Sequence, residues 1–192
     1  MFRLLTRMGH SFMKRWRVAR LWVMSLDGSV RSGGRLMLHV PLICDGKGRV
    51  SLGAKVSIGC TVAPVMGAGD VRLQARSKDS LIDIGPGTSF SNNVQVIAEQ
   101  RVTIGARCLI GDAVLIMDSD FHDLSAEGRH GQPATPAPIV LEDNVFIGSR
   151  VIILKGVTIG KDSVIGAGSV VIRSIPPGVI AAGNPAKVIR TL

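Results

Sequence analysis

From about residue 50 onward the apolar positions of this chain recur every six residues. The clearest run reads LEDNVF-IGSRVI-ILKGVT-IGKDSV-IGAGSV-VIRSIP, with leading residues Leu141, Ile147, Ile153, Ile159, Ile165 and Val171. Four places after each leader stands a small or β-branched residue: Val145, Val151, Val157, Ser163, Ser169 and Ile175. An earlier run starts at Ile104, Ile110 and Ile116, and LGAKVS-IGCTVA from Leu52 and IGPGTS-FSNNVQ from Ile84 extend the pattern upstream. Six is not a helical period. It is a multiple of the strand period of two and leaves room for a bend. Each hexad therefore predicts one short strand and one corner, and three hexads make a triangular coil. Coils stacked at the strand spacing of about 4.8 Å would bury a narrow column of aliphatic leaders. The glycine that often follows the leader is read as easing the bend.

The pattern fails once. The hexad after Ile116 would begin at His122, and the repeat resumes only at Leu141. Residues 118–138 are expected to leave the coil as a loop, with Pro133, Pro136 and Pro138 near its end. Long unstructured connections in compact domains are usually functional. This one opens on MDSDFHDL, three carboxylates and a histidine in six positions.

Composition agrees with a thin core. The chain is 46% hydrophobic but 4% aromatic and has no Tyr. Three cysteines, Cys44, Cys60 and Cys108, at no short spacing argue against a disulfide framework and a zinc knuckle, and fit a reducing cytoplasm. The formal charge of +9 is local: residues 1–35 hold eight Lys/Arg and one acid, and the rest hold fifteen Lys/Arg and thirteen acids. The basic balance thus belongs to the N-terminus, and the body has no nucleic-acid-binding pattern. Residues 1–25 set Phe2, Leu5, Phe12, Trp16 and Trp22 near one helical stripe among Arg and Lys. They predict a basic amphipathic helix, too interrupted to span a bilayer or act as a cleaved signal. Such a helix suits either the surface of an anionic membrane or packing within an oligomer. The division is a basic N-terminal segment, 1–35, and a β-helix domain, 36–192. The expected location is the cytoplasm, with the inner face of the plasma membrane as a peripheral site.

From its residues alone, His122 admits three readings: a structural histidine, a metal ligand helped by Asp118, Asp120 and Asp123, or a general base. The hexads resemble the left-handed parallel β-helix of hexapeptide-repeat acyltransferases, and the handedness is taken from that resemblance. DSDFHDL…GRHG is similar to the loop of polysaccharide and lipopolysaccharide O-acetyltransferases, and residues 145–190 resemble the donor half of the same enzymes. Maltose and galactoside acetyltransferases belong to the same group. The resemblance implies an all-β enzyme that moves acetyl from acetyl-CoA to a sugar hydroxyl without a metal, in a ternary complex completed within a homotrimer. It makes His122 the base, with Asp118 and Asp120 as candidates to orient its ring. The backbone at Gly148 and Ser149 would serve the thioester oxyanion. Ala167 and Gly168 would lie along the pantetheine arm, and Arg173, Lys187 and Arg190 would meet the CoA phosphates. Asn92, Asn93 and Glu99 would contact the acceptor. Phe146 stands where many relatives have Trp. The outward Ile152, Leu154 and Ile172 are consistent with subunit packing. Three other readings stay open: N-acetylation of an amino sugar, a non-catalytic β-helix scaffold, and a metal-dependent hydratase.

Overall fold

The computed structural model describes residues 29–60 and 69–192, so the amphipathic helix expected over 1–25 lies outside the described residues. The chain climbs as three-stranded coils. The first holds β1 (Val30–Ser32), β2 (Met37–Leu38) and β3 (Leu42–Gly46), and the second β4 (Arg49–Leu52), β5 (Ser57–Ile58) and β6 (Val71–Ala75). The third holds β7 (Leu81–Ile84), β8 (Ser89–Phe90) and β9 (Val94–Ala98), and the fourth β10 (Arg101–Ile104), β11 (Leu109–Ile110) and β12 (Leu115–Met117). The fifth holds β13 (Ile139–Leu141), β14 (Phe146–Ile147) and β15 (Ile152–Ile153), and the sixth β16 (Thr158–Ile159), β17 (Val164–Ile165) and β18 (Val170–Val171). A hairpin of β19 (Val179–Gly183) and β20 (Ala186–Thr191) closes the top.

Strands of the same rank pair in parallel from coil to coil, giving three sheets that enclose one core. The leaders Ile104, Ile116, Leu141, Ile147, Ile153, Ile159, Ile165 and Val171 are all fully buried. So are their corner partners Cys108, Val151, Ser163 and Ser169. The two buried serines are satisfied. Ser163 Oγ donates to the Pro176 carbonyl at 2.8 Å, and Ser169 Oγ to the Gly166 carbonyl at 2.6 Å. Among the described residues the paired strands begin at Val30, before residue 36, where the sequence reading opened the β-helix domain, and well before residue 50, where it opened the repeat. Val30 is buried while Arg31 and Ser32 are exposed, so β1 offers one apolar position and no recognisable hexad.

The glycines of the repeat act differently from the expectation. Corner residues three places after the leader take the left-handed conformation, among them Arg107 (φ 56), Asn144 (φ 58) and Asp162 (φ 62). Gly111 and Gly148, directly after their leaders, have no left-handed φ. What they need is space: a Cβ on Gly111 would sit 2.6 Å from the Ser149 nitrogen, and one on Gly148 2.6 Å from the Ala167 nitrogen. Glycine here permits one coil's backbone to rest on the next.

Strand β12 ends at Met117 and β13 begins at Ile139, so the segment 118–138 leaves the column at one corner. Its two roots are tied. The Ala137 N–H donates to the Asp118 carbonyl at 2.9 Å, and the Gly156 N–H to the Ala137 carbonyl at 3.0 Å.

Candidate active site

Asp118 is fully buried and faces the coil below. Its Oδ1 accepts from the Glu99 N–H at 2.7 Å, and its Oδ2 from the N–H groups of Gln100 and Arg101 at 2.8 and 2.7 Å. Burial pushes its carboxyl up from the ordinary range, and the three N–H donors pull it back. Both oxygens are occupied by backbone, so Asp118 fastens the outgoing root of the loop. Its hydrogen bonds thus go to backbone N–H groups, and its orienting of His122 stays an expectation. Asp120 pairs with the Lys155 ammonium, and the same Nζ donates to the Thr135 carbonyl at 3.0 Å. Lys155, from the corner after β15, thus clamps the outgoing and returning arms together. It was missed in the sequence because a lone lysine in ILKGVT carries no local signal.

The ring of His122 is exposed, and its Nδ1 lies 3.3 Å from the Arg129 carbonyl oxygen. A carbonyl only accepts, so Nδ1 carries the hydrogen, and in the neutral ring the lone pair falls on Nε2. The orienting role expected of a carboxylate is filled by backbone. Arg129 is held in turn by a compact turn system. The Asp123 carboxylate accepts from the Ser125 N–H at 2.8 Å and from its hydroxyl, and Ser125 Oγ accepts from the Gly128 N–H at 3.0 Å. The hydrogen bonds of Ser125 hold the Asp123 carboxyl below the usual range.

Other expected site residues divide by exposure. Asn92 is buried and turned toward Cys60: the Cys60 N–H donates to its Oδ1 at 2.9 Å, and its Nδ2 donates to the Cys60 carbonyl at 3.3 Å. These bonds make it a clasp between coils. Asn93 is a left-handed corner residue (φ 58) whose Nδ2 donates to Asp112 Oδ1 at 3.4 Å. Glu99 is half-buried and accepts from the Ser77 hydroxyl.

On the donor side, Gly148–Ser149 and Ala167–Gly168 are stacked corners, joined by the Gly168 N–H donating to the Ser149 carbonyl at 2.9 Å. The Gly148 N–H is spent on the Ile165 carbonyl at 2.8 Å, so it is no oxyanion donor. The Ser149 N–H has no acceptor among the described residues. Arg173, Lys187 and Arg190 are exposed, and none joins an ion pair among the described residues. Burial pushes the Cys44 thiol up to about 12, with Asp45 adding to it, and burial also raises that of Cys108. Neither is a ready nucleophile. Among the described residues no group of three or more His, Cys, Asp or Glu could hold a metal ion. A shallow cleft on the β5–β8–β11–β14 face, lined by Cys60, Ser89, Leu109 and the exposed Phe146, does not include His122.

Three sheets of stacked hexads with a His-bearing loop at a corner define a class of fold, and the chain is similar to hexapeptide-repeat acetyltransferases over part of its length. Residues 138–173 match the family described as bacterial transferase hexapeptide (six repeats). Among named relatives, the galactoside O-acetyltransferase of Escherichia coli K12 is 42% identical over 116 residues, 60% of this chain and 57% of that protein. The chain thus spans about half the length of the curated relatives it matches. A hexapeptide-repeat acetyltransferase of Vibrio cholerae, solved with acetyl coenzyme A, superposes with a TM-score of 0.58 at 29% identity, over 83% of this chain and 71% of that one. A polySia-specific acetyltransferase superposes with a TM-score of 0.64 at 28% identity, over 84% of this chain and 70% of that one.

Proposed function

We propose that this protein is an acetyl-CoA-dependent O-acetyltransferase acting on a hydroxyl of a sugar or glycan precursor, with His122 as general base. The observation that carries the reading is the ring itself: Nδ1 committed to the Arg129 carbonyl and Nε2 free on an exposed face of a tethered loop. The galactoside O-acetyltransferase relative and the acetyl-CoA-bound neighbour support the reaction type. An alcohol is a poor nucleophile at neutral pH, and a neutral imidazole can take its proton as attack proceeds. In the step, the acceptor oxygen bonds to the thioester carbon and its proton passes to Nε2. The carbon–sulfur bond then breaks and the sulfur leaves with that proton as CoA thiol. The Ser149 N–H is a suitable donor to the transient oxyanion, Ala167 and Gly168 offer a small-residue track for pantetheine, and Arg173, Lys187 and Arg190 offer unpaired cations for the phosphates. Asp118 and Asp120 support the base indirectly, by holding the loop that carries it.

The donor groups and His122 are to be brought together across a homotrimer. The half-buried Ile152 and Leu154 and the exposed Ile172, on one outer face, are suited to that packing. We further propose a cytoplasmic enzyme that touches the inner face of the plasma membrane through residues 1–25. Binding of the full chain to anionic but not neutral liposomes, weakened by salt, is the expected result; salt-independent or absent binding refutes the membrane contact. The main reading is tested by incubating the protein with acetyl-CoA and a panel of sugars while following thiol release and product mass. A product heavier by one acetyl group on oxygen is expected. Acetylation confined to amino sugars at nitrogen would refute O-transfer.

A further inference from the structure

We propose that Arg76 selects the acceptor, and that the acceptor is an anionic sugar carrying a carboxylate or a phosphate. The inference rests on the acetyl-transfer reading above. Arg76 stands at the corner just after β6, its backbone fixed by an N–H donated to the Ala98 carbonyl at 2.8 Å. Its guanidinium carbon lies 4.5 Å from the ring centroid of Phe121, the residue immediately before His122. Phe121 itself is held in the left-handed conformation (φ 61), with its N–H donated to Ser119 Oγ at 3.0 Å. Such backbone is uncommon for a bulky side chain and persists where surrounding structure enforces it. Here it turns the ring onto the arginine.

A guanidinium held over an aromatic ring can direct its N–H donors away from that ring in a rigid fork. Arg76 is exposed, and it joins no ion pair among the described residues. The carboxylates of the same corner region, Asp79 and Glu99, leave it unpaired, Glu99 being engaged by the Ser77 hydroxyl. The fork therefore stands without an ion-pair partner among the described residues, over the ring of the residue that precedes the base. Its geometry matches the two oxygens of a carboxylate or phosphate. An acceptor gripped there by its charge would present a hydroxyl toward Nε2 of His122. Phe121 acts through Arg76 and is a positioning residue.

The test compares initial rates of thiol release from acetyl-CoA with glucuronate, galactose 1-phosphate and galactose, for the full-length protein and its Arg76→Gln, Arg76→Lys, Phe121→Leu and His122→Ala variants. The wild type should favour at least one anionic sugar over galactose in kcat/KM by ~10- to 100-fold, the range for a hydrogen-bonded charge pair. The difference should lie mainly in KM. Which anion leads separates carboxylate from phosphate. Arg76→Gln should bring the ratio close to one, Arg76→Lys should restore part of it, and Phe121→Leu should lower it. A wild type that acetylates galactose as readily as either anion overturns the role of Arg76 and leaves acetyl transfer standing, as does an Arg76→Gln variant that keeps the preference. No His122-dependent release with any of the three sugars overturns both.

Discussion

Replacing Asp118 with alanine should destabilise the protein far more than an ordinary surface change. The carboxylate is buried and is the shared acceptor of the Glu99, Gln100 and Arg101 N–H groups. Each orphaned buried donor costs about 1–3 kcal/mol, so three set a gross loss of roughly 3–9 kcal/mol. Two effects reduce it. Burial already disfavours the Asp118 charge, so removing that charge returns some desolvation energy, and the small cavity can admit water to the freed N–H groups. The net expectation is the lower third of that range, about 3–5 kcal/mol. In a domain of this size each kcal/mol moves Tm by roughly 2–4 °C, so calorimetry should show a fall of about 6–20 °C. Asp118→Asn keeps the shape but sets an NH2 group against N–H donors, and it should lose a comparable amount. The pKa read from the pH–rate profile of residual acetyl transfer should stay put in both variants, because the His122 ring is oriented by the Arg129 carbonyl. A wild-type Tm together with a displaced pH–rate pKa would refute this and return Asp118 to the imidazole.

Four further outcomes follow from the same structure. Gly111→Ala, whose new Cβ would meet the Ser149 nitrogen at 2.6 Å, should cost more than 2 kcal/mol or block folding; Gly168→Ala has open space and only a left-handed φ of 71, and should cost about 1 kcal/mol in urea unfolding. The thiols of Cys44 and Cys108 should resist alkylation in the native state, where that of the half-buried Cys60 reacts first by mass spectrometry. Because the folded Cys44 pKa lies above its unfolded value of about 8.5, its contribution to stability is complete below that pH. It should be lost as pH rises toward about 12, and unfolding curves across that window check the sign. Lys155→Met should release both arms of the loop and speed proteolytic cleavage within 123–132, with a Tm change of no more than about 1 kcal/mol equivalent, since the pair is partly solvated.

The hexads were legible because burial imposes them: the residues that had to face inward, Ile147, Ile153 and Ile165 among them, do so. The loop was legible as the one place where the period fails. The partners of its side chains were not. Asp118 meets Glu99–Arg101, and Lys155 meets Asp120 and Thr135, because stacking brings together corners about a coil apart, a distance at which linear spacing carries no direction. The glycines were found but their reason was misread, since clearance from the coil above is invisible along the chain and the left-handed corner falls on Arg107 or Asn144 instead. The contact of Asn92 with Cys60, 32 residues away, left no mark in the sequence. Arg76 and Phe121, far apart in sequence, gave no sign of meeting.

The central claim is that the free nitrogen of His122 takes the acceptor proton. It is tested most directly by the kcat of acetyl transfer in His122→Ala at saturating acetyl-CoA and acceptor, with Tm measured on the same sample. The account predicts a fall of roughly 10²–10⁴ with Tm unchanged. A kcat within about threefold of wild type in a folded variant would contradict it.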